Sequence, residues 1–299
     1  MLRIALPNKG RLAEDARELF ADAGLEVRAR GERALTASLG GEFQALFVRA
    51  QDIPEFVADG AADVGITGWD LICESARALE PLTDLQFGRC RLAVAAREES
   101  GVESLEDIPA GMRVATVFPR LTQRFFEERG CPVEVEPVSG AAEIAPHIGI
   151  ADVIVDLVST GSTLRVNGLR EIATVIESTA RLVVARDTMR DTSAAGRVRM
   201  RNVEELVAAL ESVLRARGKR YVMANVPRER LDDVRRVLPG LNGPTVIDIL
   251  DGGTKAGQVG SHVAVHAVAD ARTIYRTVAE LKSLGAEGIL VTRIERLMA

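Results

Sequence analysis

The sequence is poor in aromatic residues and has no long apolar stretch. Aromatic side chains make up 4% of the 299 residues, so the core has to be built from aliphatic side chains. The chain contains no run of about eighteen apolar residues, which argues against a membrane-spanning helix. Its first residues lack the apolar segment of a signal peptide. We therefore expect a cytoplasmic protein with no membrane partner.

Cysteines are few and charges are mixed. Cys73, Cys90 and Cys131 are widely separated and show no Cys-x-x-Cys spacing, which argues against a disulfide framework and a zinc site and favours reduced thiols. The net charge is −5, without a block of like charges. A basic arm for nucleic acid is therefore missing, and we expect no nucleic-acid partner. A polyanionic substrate would need local Lys, Arg, metal ions or backbone N–H groups.

Strand-like and helix-like segments alternate along the first two thirds of the chain, which predicts an α/β fold with helices on a mostly parallel sheet. The pattern Gly-x-Ala-Asp-Val occurs twice, at 60–64 and 149–153, each time before an apolar strand that ends in a Gly/Thr turn. The repeat indicates two similar lobes with both turns at strand carboxyl ends, where open α/β sheets bind ligands. Chance similarity is the alternative.

A polar stretch from Asp187 to Val203 predicts a boundary, followed by an amphipathic helix. After Gly218 the predicted order is β-α-β-β-α-β, the plan of a ferredoxin-like domain. We predict a first lobe from residues 1–90 plus about 180–217, a second lobe from 91–179, and a separate α+β domain from 218–299.

The strongest chemical signal comes directly after the strand that begins at Val153. The strand leads to Asp156, and the loop Ser159–Thr163 then places four hydroxyls around one glycine. Backbone N–H groups of such a loop can surround a phosphate, glycine permits close approach, and a helix beginning near Thr163 would add its dipole. With Glu143 and Asp156 as acceptors for ribose hydroxyls, the segment suits a phosphoribosyl donor. The alternative is a solvated turn, with Asp156 as a helix cap.

The window from Glu143 to Leu164 closely resembles the signature with which ATP phosphoribosyltransferases bind phosphoribosyl pyrophosphate (PRPP). The last 80 or so residues resemble the regulatory domain of the long form of that family, so the resemblance covers essentially the whole chain. Further segments that resemble family landmarks are Leu6–Leu12, Arg49 with Asp52–Pro54, Asp63–Gly68 and Asn167–Leu169.

The resemblance implies a two-lobed catalytic unit like that of periplasmic binding proteins, followed by a ferredoxin-like (ACT-like) domain. The PRPP contacts that it implies are Glu143, Asp156, Ser159, Thr160, Gly161, Ser162 and Thr163. The implied ATP contacts are Lys9, Arg11, Arg49, Asp70 and Leu71, although Arg11 can equally be a solvated helix residue. Positions that depart from the family pattern are Gln51, Arg120 and His147.

The implied reaction joins N1 of the ATP adenine to C1 of the PRPP ribose and expels pyrophosphate, at the first step of L-histidine biosynthesis. Mg²⁺ is expected to arrive with the substrate, because the sequence shows no dedicated cluster of metal ligands. The adenine nitrogen is itself the nucleophile, so no serine, cysteine or lysine nucleophile is required.

The resemblance also implies regulation and assembly. Long-form relatives are feedback-inhibited by L-histidine and form hexamers, with dimers as the lesser state. The implied effector contacts are Asn225, Leu241 and Thr245, which can alternatively only shape a strand and a turn. His262 and His266 share one face of a predicted strand, and we expect them to be sheet-surface residues rather than metal ligands.

Three other functions remain open. A two-lobed solute-binding protein would bind tightly without releasing pyrophosphate. A catalytically silent regulatory relative would lack turnover, against which Asp156, Gly161, Arg49 and Asp70 argue. A phosphoribosyltransferase for another base would differ only in its acceptor.

Overall fold

The computed structural model describes residues 1–29, 31, 34–40, 42–249 and 260–298. The chain forms two compact units, Met1–Ala208 and Ala209–Ala299. Within the described ranges, no helix has both the length and the apolar character needed to cross a membrane.

The first unit alternates strands and helices, as its sequence pattern predicts. In chain order its strands are β1 (Leu2–Pro7), β2 (Val27–Ala29), β3 (Thr36–Leu39), β4 (Phe43–Val48), β5 (Val64–Gly68), β6 (Leu79–Asp84), β7 (Cys90–Arg97), β8 (Arg113–Thr116), β9 (Glu134–Pro137), β10 (Val153–Val158), β11 (Leu169–Ser178) and β12 (Ala180–Ala185). Its helices are α1 (Arg11–Asp22), α2 (Ile53–Ala58), α3 (Trp69–Ser75), α4 (Pro119–Glu127), α5 (Ser162–Val166), α6 (Arg186–Arg190) and the first part of α7 (Ala194–Ala216).

Two sheets define two lobes in this unit. Over the described residues, the sheet of lobe I has the order β2-β3-β4-β1-β5-β12-β6, and the sheet of lobe II has the order β11-β7-β10-β8-β9. The chain enters lobe II between β6 and β7 and returns between β11 and β12. The predicted two-lobed α/β architecture is therefore confirmed.

The expectation of a mostly parallel sheet is wrong. Parallel pairing is confined to β4-β1-β5 in lobe I and to β10-β8-β9 in lobe II. Strands β2, β3 and β4 are joined in antiparallel pairing. The strands that carry the chain between the lobes also pair antiparallel with their neighbours. Among the described strands, the parallel pairs lie at the centre of the lobe I sheet and at one edge of the lobe II sheet.

Aliphatic side chains fill the core, as the scarcity of aromatic residues requires. Every residue of β5 is buried, and Val153, Ile154 and Val155 of β10 are buried completely. Burying such side chains stabilises the fold by roughly 25 cal/mol for each Å² removed from water. The central strands are therefore rigid supports for the turns at their carboxyl ends.

The repeated Gly-x-Ala-Asp-Val pattern makes a defined network at the start of β5. The Asp63 N–H donates to the carbonyl oxygen of Arg3 at 2.9 Å, and the Asp63 carboxylate accepts the backbone N–H of Arg3 at 2.7 Å. The Arg3 guanidinium donates to the carbonyl oxygen of Gly60 at 2.7 Å. The glycine has a φ of +72°, a conformation that glycine adopts without steric cost.

The same network recurs at the start of β10. The Asp152 N–H donates to the carbonyl oxygen of Arg113 at 2.9 Å, and the Asp152 carboxylate accepts the backbone N–H of Arg113 at 3.2 Å. The Arg113 guanidinium donates to the carbonyl oxygen of Gly149 at 3.0 Å, and this glycine has a φ of +75°. The sequence repeat therefore marks equivalent positions in two similar lobes.

The helix predicted to follow the polar stretch from Asp187 to Val203 begins earlier than expected. The stretch contains α6, and α7 already begins at Ala194. The Ser193 hydroxyl accepts the N–H of Gly196 at 3.0 Å, which is the hydrogen bond of a helix N-cap. The arginine, methionine and alanine residues of this segment are good helix formers, so the helix extends upstream of its apolar face.

The second unit has the predicted order of elements: β13 (Lys219–Pro227), α8 (Leu231–Val237), β14 (Thr245–Asp248), β15 (His262–Asp270), α9 (Ile274–Ser283) and β16 (Glu287–Arg293). Its described strands form an antiparallel sheet in the order β14-β15-β13-β16. One face of the sheet, with Val222 and Val265, packs with Val234 of α8 and Leu281 of α9. The ferredoxin-like plan is confirmed, while Leu250, the predicted end of β14, lies outside the described residues.

Candidate active site

The predicted PRPP loop connects β10 to α5. The strand ends at Val158, and α5 begins at Ser162, one residue earlier than expected. Gly161 precedes the helix with a φ of +74°. A β-carbon at this position would lie 3.3 Å from the Arg165 guanidinium, and the backbone conformation would strain any other residue. The chain therefore turns from strand to helix at the one glycine of the loop.

The loop directs hydrogen-bond donors outwards. The hydroxyls of Thr160 and Ser162 lie 2.9 Å apart, and the Ser162 N–H reaches the Thr160 hydroxyl at 3.4 Å. Leu164 is buried in the core of lobe II and anchors the helix. N–H groups in a first helical turn have no carbonyl partner within the helix. Exposed hydroxyls and backbone N–H groups are thus gathered as a phosphate requires.

Two acidic side chains lie beside this loop. Asp156 is half-buried on β10 and accepts the N–H of Leu157 at 2.8 Å, while Glu143 lies in a 3-10 turn, Ala142–Ile144. Burial raises the pKa of Asp156; the Leu157 N–H opposes this shift, and the negative charge of Glu143 raises the pKa further. The turn that carries Glu143 packs against β10, so both carboxylates are acceptors on the elements that carry the loop.

Three of the predicted ATP contacts lie just after neighbouring parallel strands of lobe I. Lys9 comes after β1, Arg49 after β4 and Asp70 after β5, and these strands are adjacent in the sheet. The Asn8 N–H donates to the carbonyl oxygen of Val48 at 2.8 Å, which joins the first two strand ends. Lys9, Arg11 and Arg49 are exposed. Arg11 lies 3.9 Å from Asp15 on its own helix, which agrees with a solvated helix residue.

Asp70 is buried rather than open to solvent, with 3% of its surface exposed. The Ser178 hydroxyl donates to the Asp70 carboxylate, and the Asp70 N–H donates to the Ser178 oxygen at 3.1 Å. Burial raises the pKa of Asp70, and hydrogen bonds to its carboxylate from Ser178 and from the N–H groups of Asp70 and Leu71 only partly oppose that rise. A nucleotide that contacted this carboxylate would have to reach a side chain that is almost fully buried beside Ser178. The neighbouring Leu71 packs against the core of lobe II.

Helices α3 and α4 meet directly and join the two lobes. The Glu74 carboxylate of lobe I accepts the backbone N–H groups of Arg120 and Leu121, both at 2.9 Å. The Arg120 guanidinium donates to the carbonyl oxygen of Ser75 at 2.7 Å. A carboxylate at a helix N-terminus satisfies unpaired N–H groups and complements the helix dipole. Arg120, a departure from the family pattern, therefore holds the lobes together. His147, another departure, donates its Nε2–H to the Asn167 carbonyl oxygen, 2.9 Å away.

The sequence patterns did not indicate the residues at the crossing between the lobes. Ser178, at the end of β11, pairs in register with Cys90 at the start of β7, and both face Asp70. Burial raises the pKa of the Cys90 thiol to about 11, and the charge of Asp70 contributes, so the thiol is protonated at neutral pH. Ser178 and Asp70 are 108 residues apart, and neither lies in a motif that links them, so no sequence signal indicated the pair.

A cavity of about 270 Å³ lies at this crossing. We call it the crossover cavity, and its lining includes Asp84, Arg89, Arg91, Ser159, Thr179 and Arg181. Ser159 belongs to the predicted PRPP loop, whereas Lys9, Arg11 and Arg49 are not part of the lining. The structure therefore brings the lobe II loop, but not the exposed cations of lobe I, to this cavity.

In the second unit, the predicted effector residues lie on the side of the sheet that faces away from the helices. Asn225 on β13 and Thr245 on β14 are exposed on the same face, and Leu241, in the preceding turn, is 57% exposed. On that face the His266 ring lies 2.9 Å from the Tyr221 hydroxyl. Within the described ranges, no group of three or more His, Cys, Asp or Glu residues could hold a metal ion.

Known proteins are similar to the chain over its whole length. A family model described as "HisG: ATP phosphoribosyltransferase" matches residues 49–212, and one described as "HisG, C-terminal domain" matches residues 216–296. The ATP phosphoribosyltransferase of Gemmatimonas aurantiaca is 68% identical over 100% of both chains. That of Haloarcula marismortui is 48% identical over 99% of this chain and 100% of its own. Among solved structures, the ATP phosphoribosyl transferase (HisG:HisZ) complex from Thermotoga maritima has 28% identity and a TM-score of 0.59, over 71% of this chain and 99% of that chain.

Proposed function

The chain belongs to the ATP phosphoribosyltransferase family in its long form, and from this we propose that it transfers the phosphoribosyl group of PRPP to N1 of the ATP adenine. The reaction releases pyrophosphate and is the first step of L-histidine biosynthesis. The single observation that carries the proposal is the loop Ser159–Thr163 beside Asp156 and Glu143. It combines an uncharged phosphate cradle with carboxylate acceptors for ribose.

Each part of the site has a role in this reaction. The loop N–H groups and hydroxyls bind the 5′-phosphate of PRPP, and Asp156 and Glu143 accept hydrogen bonds from the ribose hydroxyls. Lys9, Arg11 and Arg49 are exposed cations at the carboxyl edge of lobe I, where they attract the phosphates of ATP. Asp70 and Leu71 orient the adenine.

The bond changes need no protein nucleophile. The lone pair of adenine N1 forms the bond to ribose C1 while the C1–O bond breaks, and its electron pair leaves on the pyrophosphate oxygen. The proton lost from the exocyclic amine of the adenine passes to solvent. Holding the two substrates in line supplies most of the acceleration, which can reach about 7–11 kcal/mol when the reacting atoms are well aligned.

Mg²⁺ is proposed to enter with the pyrophosphate group of PRPP, because the described residues offer no set of three protein ligands. Bound there, it neutralises charge on the leaving group. The residues of this chain have to hold the ribose and exclude water from C1. Contacts between the lobes, such as Glu74 with the first turn of α4, support a closed arrangement of that kind.

We further propose that L-histidine inhibits the enzyme through Asn225, Leu241 and Thr245, which are all exposed in the second unit. The exposed amide of Asn225 can accept a hydrogen bond from an amino-acid ammonium group. A hexamer, with a dimer as the lesser state, is the proposed assembly. Free Cys73, Cys90 and Cys131 suit a cytoplasmic location.

One assay tests the proposal. The protein is mixed with ATP, PRPP and Mg²⁺, the ultraviolet absorbance of the adduct is followed, and L-histidine is then added. We expect adduct formation that requires both substrates and falls on addition of L-histidine. Tight binding of the substrates without pyrophosphate release would contradict the proposal and favour a solute-binding protein. Light scattering with and without L-histidine measures the assembly.

A further inference from the structure

Helix α3 packs into the cores of both lobes. Ile72 is buried in the core of lobe I, whereas Leu71 and Cys73 pack against the core of lobe II. Near the start of the helix, the Asp70 carboxylate accepts the hydroxyl of Ser178 at the end of β11. Close-packed interiors transmit displacement rather than absorb it. The position of α3 is therefore fixed relative to both lobes, and with it the side chains proposed to orient the adenine.

The last turn of α3 and the first turn of α4 complete each other. One oxygen of the Glu74 carboxylate accepts the N–H of Arg120 and the other accepts the N–H of Leu121, each at 2.9 Å. In the opposite direction, the Arg120 guanidinium donates to the carbonyl oxygen of Ser75 at 2.7 Å. Such N–H and C=O groups at helix ends have no partner within their own helix. Each helix therefore supplies what the other one lacks.

A buried hydroxyl connects the same turn of α4 to strand β10. Thr116, the last residue of β8, is completely buried. Its hydroxyl donates to the carbonyl oxygen of Val155 at 2.7 Å and accepts the N–H of Phe118 at 2.9 Å. Val155 directly precedes Asp156, the carboxylate proposed to bind ribose. The start of α4 is thus bonded to the strand that carries this carboxylate.

We call the segment Phe118–Leu121, together with the side chains of Glu74 and Thr116 that bond to it, the α4 joint. It forms a continuous hydrogen-bonded path from the ribose-binding strand of lobe II to the adenine-binding helix α3. Transfer between two bound substrates requires the reacting atoms to lie about 3–3.5 Å apart in line, and a displacement of one ångström costs about 100-fold in rate. The joint is the connection that fixes this geometry.

We propose that Glu74 and Thr116 are positioning residues, which hold α3 and β10 in one fixed arrangement through the α4 joint. This assignment rests on the proposed function, which gives neither side chain a contact with a substrate. Each substrate keeps its own binding residues when the joint is broken. Loss of the joint is therefore expected to lower kcat, while the affinity for ATP alone or PRPP alone is retained.

A matched pair of variants tests the hydroxyl of Thr116. Thr116→Val keeps the shape of the side chain and removes the hydroxyl, whereas Thr116→Ser keeps the hydroxyl and is the control. We expect Thr116→Val to lower kcat at least about tenfold and Thr116→Ser to stay within about threefold of the unaltered protein. Calorimetry with ATP alone and with PRPP alone should give dissociation constants within about twofold of the original values for both variants.

Glu74→Gln tests the half of the joint that crosses between the lobes. Glutamine offers one acceptor oxygen in place of two, so one N–H of the α4 turn loses its partner. We expect kcat to fall about tenfold with both single-substrate affinities retained. Glu127→Gln, at an exposed glutamate of the same helix that bonds only within it, is the control and should change neither. The double variant with Thr116→Val should lose less than the product of the two single losses, because both break one joint.

Fluorescence follows the joint without any turnover. Trp69 is the only tryptophan and the first residue of α3, so its emission reports the position of that helix. Ribose 5-phosphate, which carries the groups proposed to bind lobe II, is titrated into the full-length protein. We expect its binding to change the emission of the unaltered protein and of Thr116→Ser. In Thr116→Val and Glu74→Gln the change should be lost although calorimetry shows the same affinity.

The outcomes separate the joint from the reaction. A kcat within about twofold of normal in both Thr116→Val and Glu74→Gln, at a temperature where circular dichroism shows them folded, would overturn the proposal in an active enzyme. Loss of affinity for a single substrate in step with kcat would also overturn it, because the residues would then act in binding. If Thr116→Val does not fold, Glu74→Gln decides alone. The expected fluorescence pattern in a protein that forms no adduct would retain the joint and reject the proposed function.

Discussion

The two lobes share one network at the amino ends of their central strands and differ at the carboxyl ends. The bonds from Asp63 to Arg3 and from Asp152 to Arg113 are the same in kind. At the other end, β5 leads directly into a helix with Asp70 buried, whereas β10 leads into a loop of exposed hydroxyls. The shared network therefore fixes equivalent strand starts in the two lobes, and the lobes differ in the turns at the carboxyl ends, where we propose that the substrates bind.

The shared network is not equally buried in the two lobes. The Asp63 side chain is 10% exposed and also meets Arg199 at 3.2 Å, whereas the Asp152 side chain is 45% exposed and lies 3.4 Å from the Arg113 guanidinium. We therefore expect Asp63 to contribute more to the free energy of unfolding than Asp152 does. In lobe II the carboxylate that we propose to bind ribose, Asp156, comes four residues after Asp152 and lies in β10.

The largest expected effect is on turnover, at the carboxyl end of β10. We expect Asp156→Ala to lower kcat by at least about 100-fold, because the ribose loses an acceptor made for the transition-state geometry. The fold should be retained, since the hydrogen bond of this carboxylate goes to the N–H of its chain neighbour, Leu157. Asp152→Ala, at the opposite end of the strand, is the control and should keep its turnover. Steady-state assays with far-UV circular dichroism compare the two, and near-normal turnover of Asp156→Ala would refute the role.

A second test compares two glycines with the same backbone conformation. Gly161 and Gly149 have φ values of +74° and +75°, so valine strains either position by at least about 1 kcal/mol. Only Gly161→Val changes the phosphate loop, and we expect it to lose turnover by orders of magnitude while remaining folded. Gly149→Val should lose stability alone. Equal activities of the two variants, measured at a temperature where both are folded, would contradict the proposal that the loop binds the phosphate.

Several of the features that distinguish the two lobes could be predicted from the sequence. The Gly-x-Ala-Asp-Val repeat predicted two similar lobes, the order of elements after Gly218 predicted the small domain, and the loop Ser159–Thr163 was found with its strand. These features are local, because each depends on residues close together in the chain. The repeat also proved to be more than chance, since its backbone bonds recur.

Other features could not be predicted because they join distant residues. The Asp70–Ser178 bond spans 108 residues, and the Glu74 contact with Arg120 spans 46. The mixed pairing of both sheets depends on where the chain crosses between lobes, which the alternation of strands and helices does not specify. The polar composition around Ala194 did not indicate that α7 begins there. The Ser193 hydroxyl, which accepts the N–H of Gly196, caps this first turn.

The third test separates the two aspartates of the shared network by stability. We expect Asp63→Ala to lower the free energy of unfolding by about 1–2 kcal/mol, because the part-buried backbone N–H of Arg3 loses its acceptor and the 10% exposed carboxylate no longer pairs with Arg199. Asp152→Ala should cost less than about 1 kcal/mol, since exposed ion pairs contribute little. Urea denaturation followed by circular dichroism measures both. A larger loss for Asp152→Ala would reverse the order that the burial of the two side chains implies.

The smallest effect concerns pH. Burial raises the pKa of Asp156, so between its unfolded value, about 3.9, and its raised folded value the native state binds more protons than the unfolded state. The contribution of Asp156 to the free energy of unfolding therefore becomes less favourable as the pH rises from the unfolded to the folded pKa. We expect Asp156→Asn to raise Tm at pH 7 and to give no gain below the unfolded pKa. Asp152→Asn is the control, and an equal gain in both variants at pH 7 would contradict burial as the cause.

The most direct measurement is a crystal structure of the protein with PRPP bound. The 5′-phosphate should lie within hydrogen-bond distance of the backbone N–H groups and hydroxyls between Ser159 and Thr163, with the ribose hydroxyls on Asp156. A donor bound at the carboxyl edge of lobe I, or anywhere else with that turn unoccupied, would contradict the assignment of lobe II as the donor lobe.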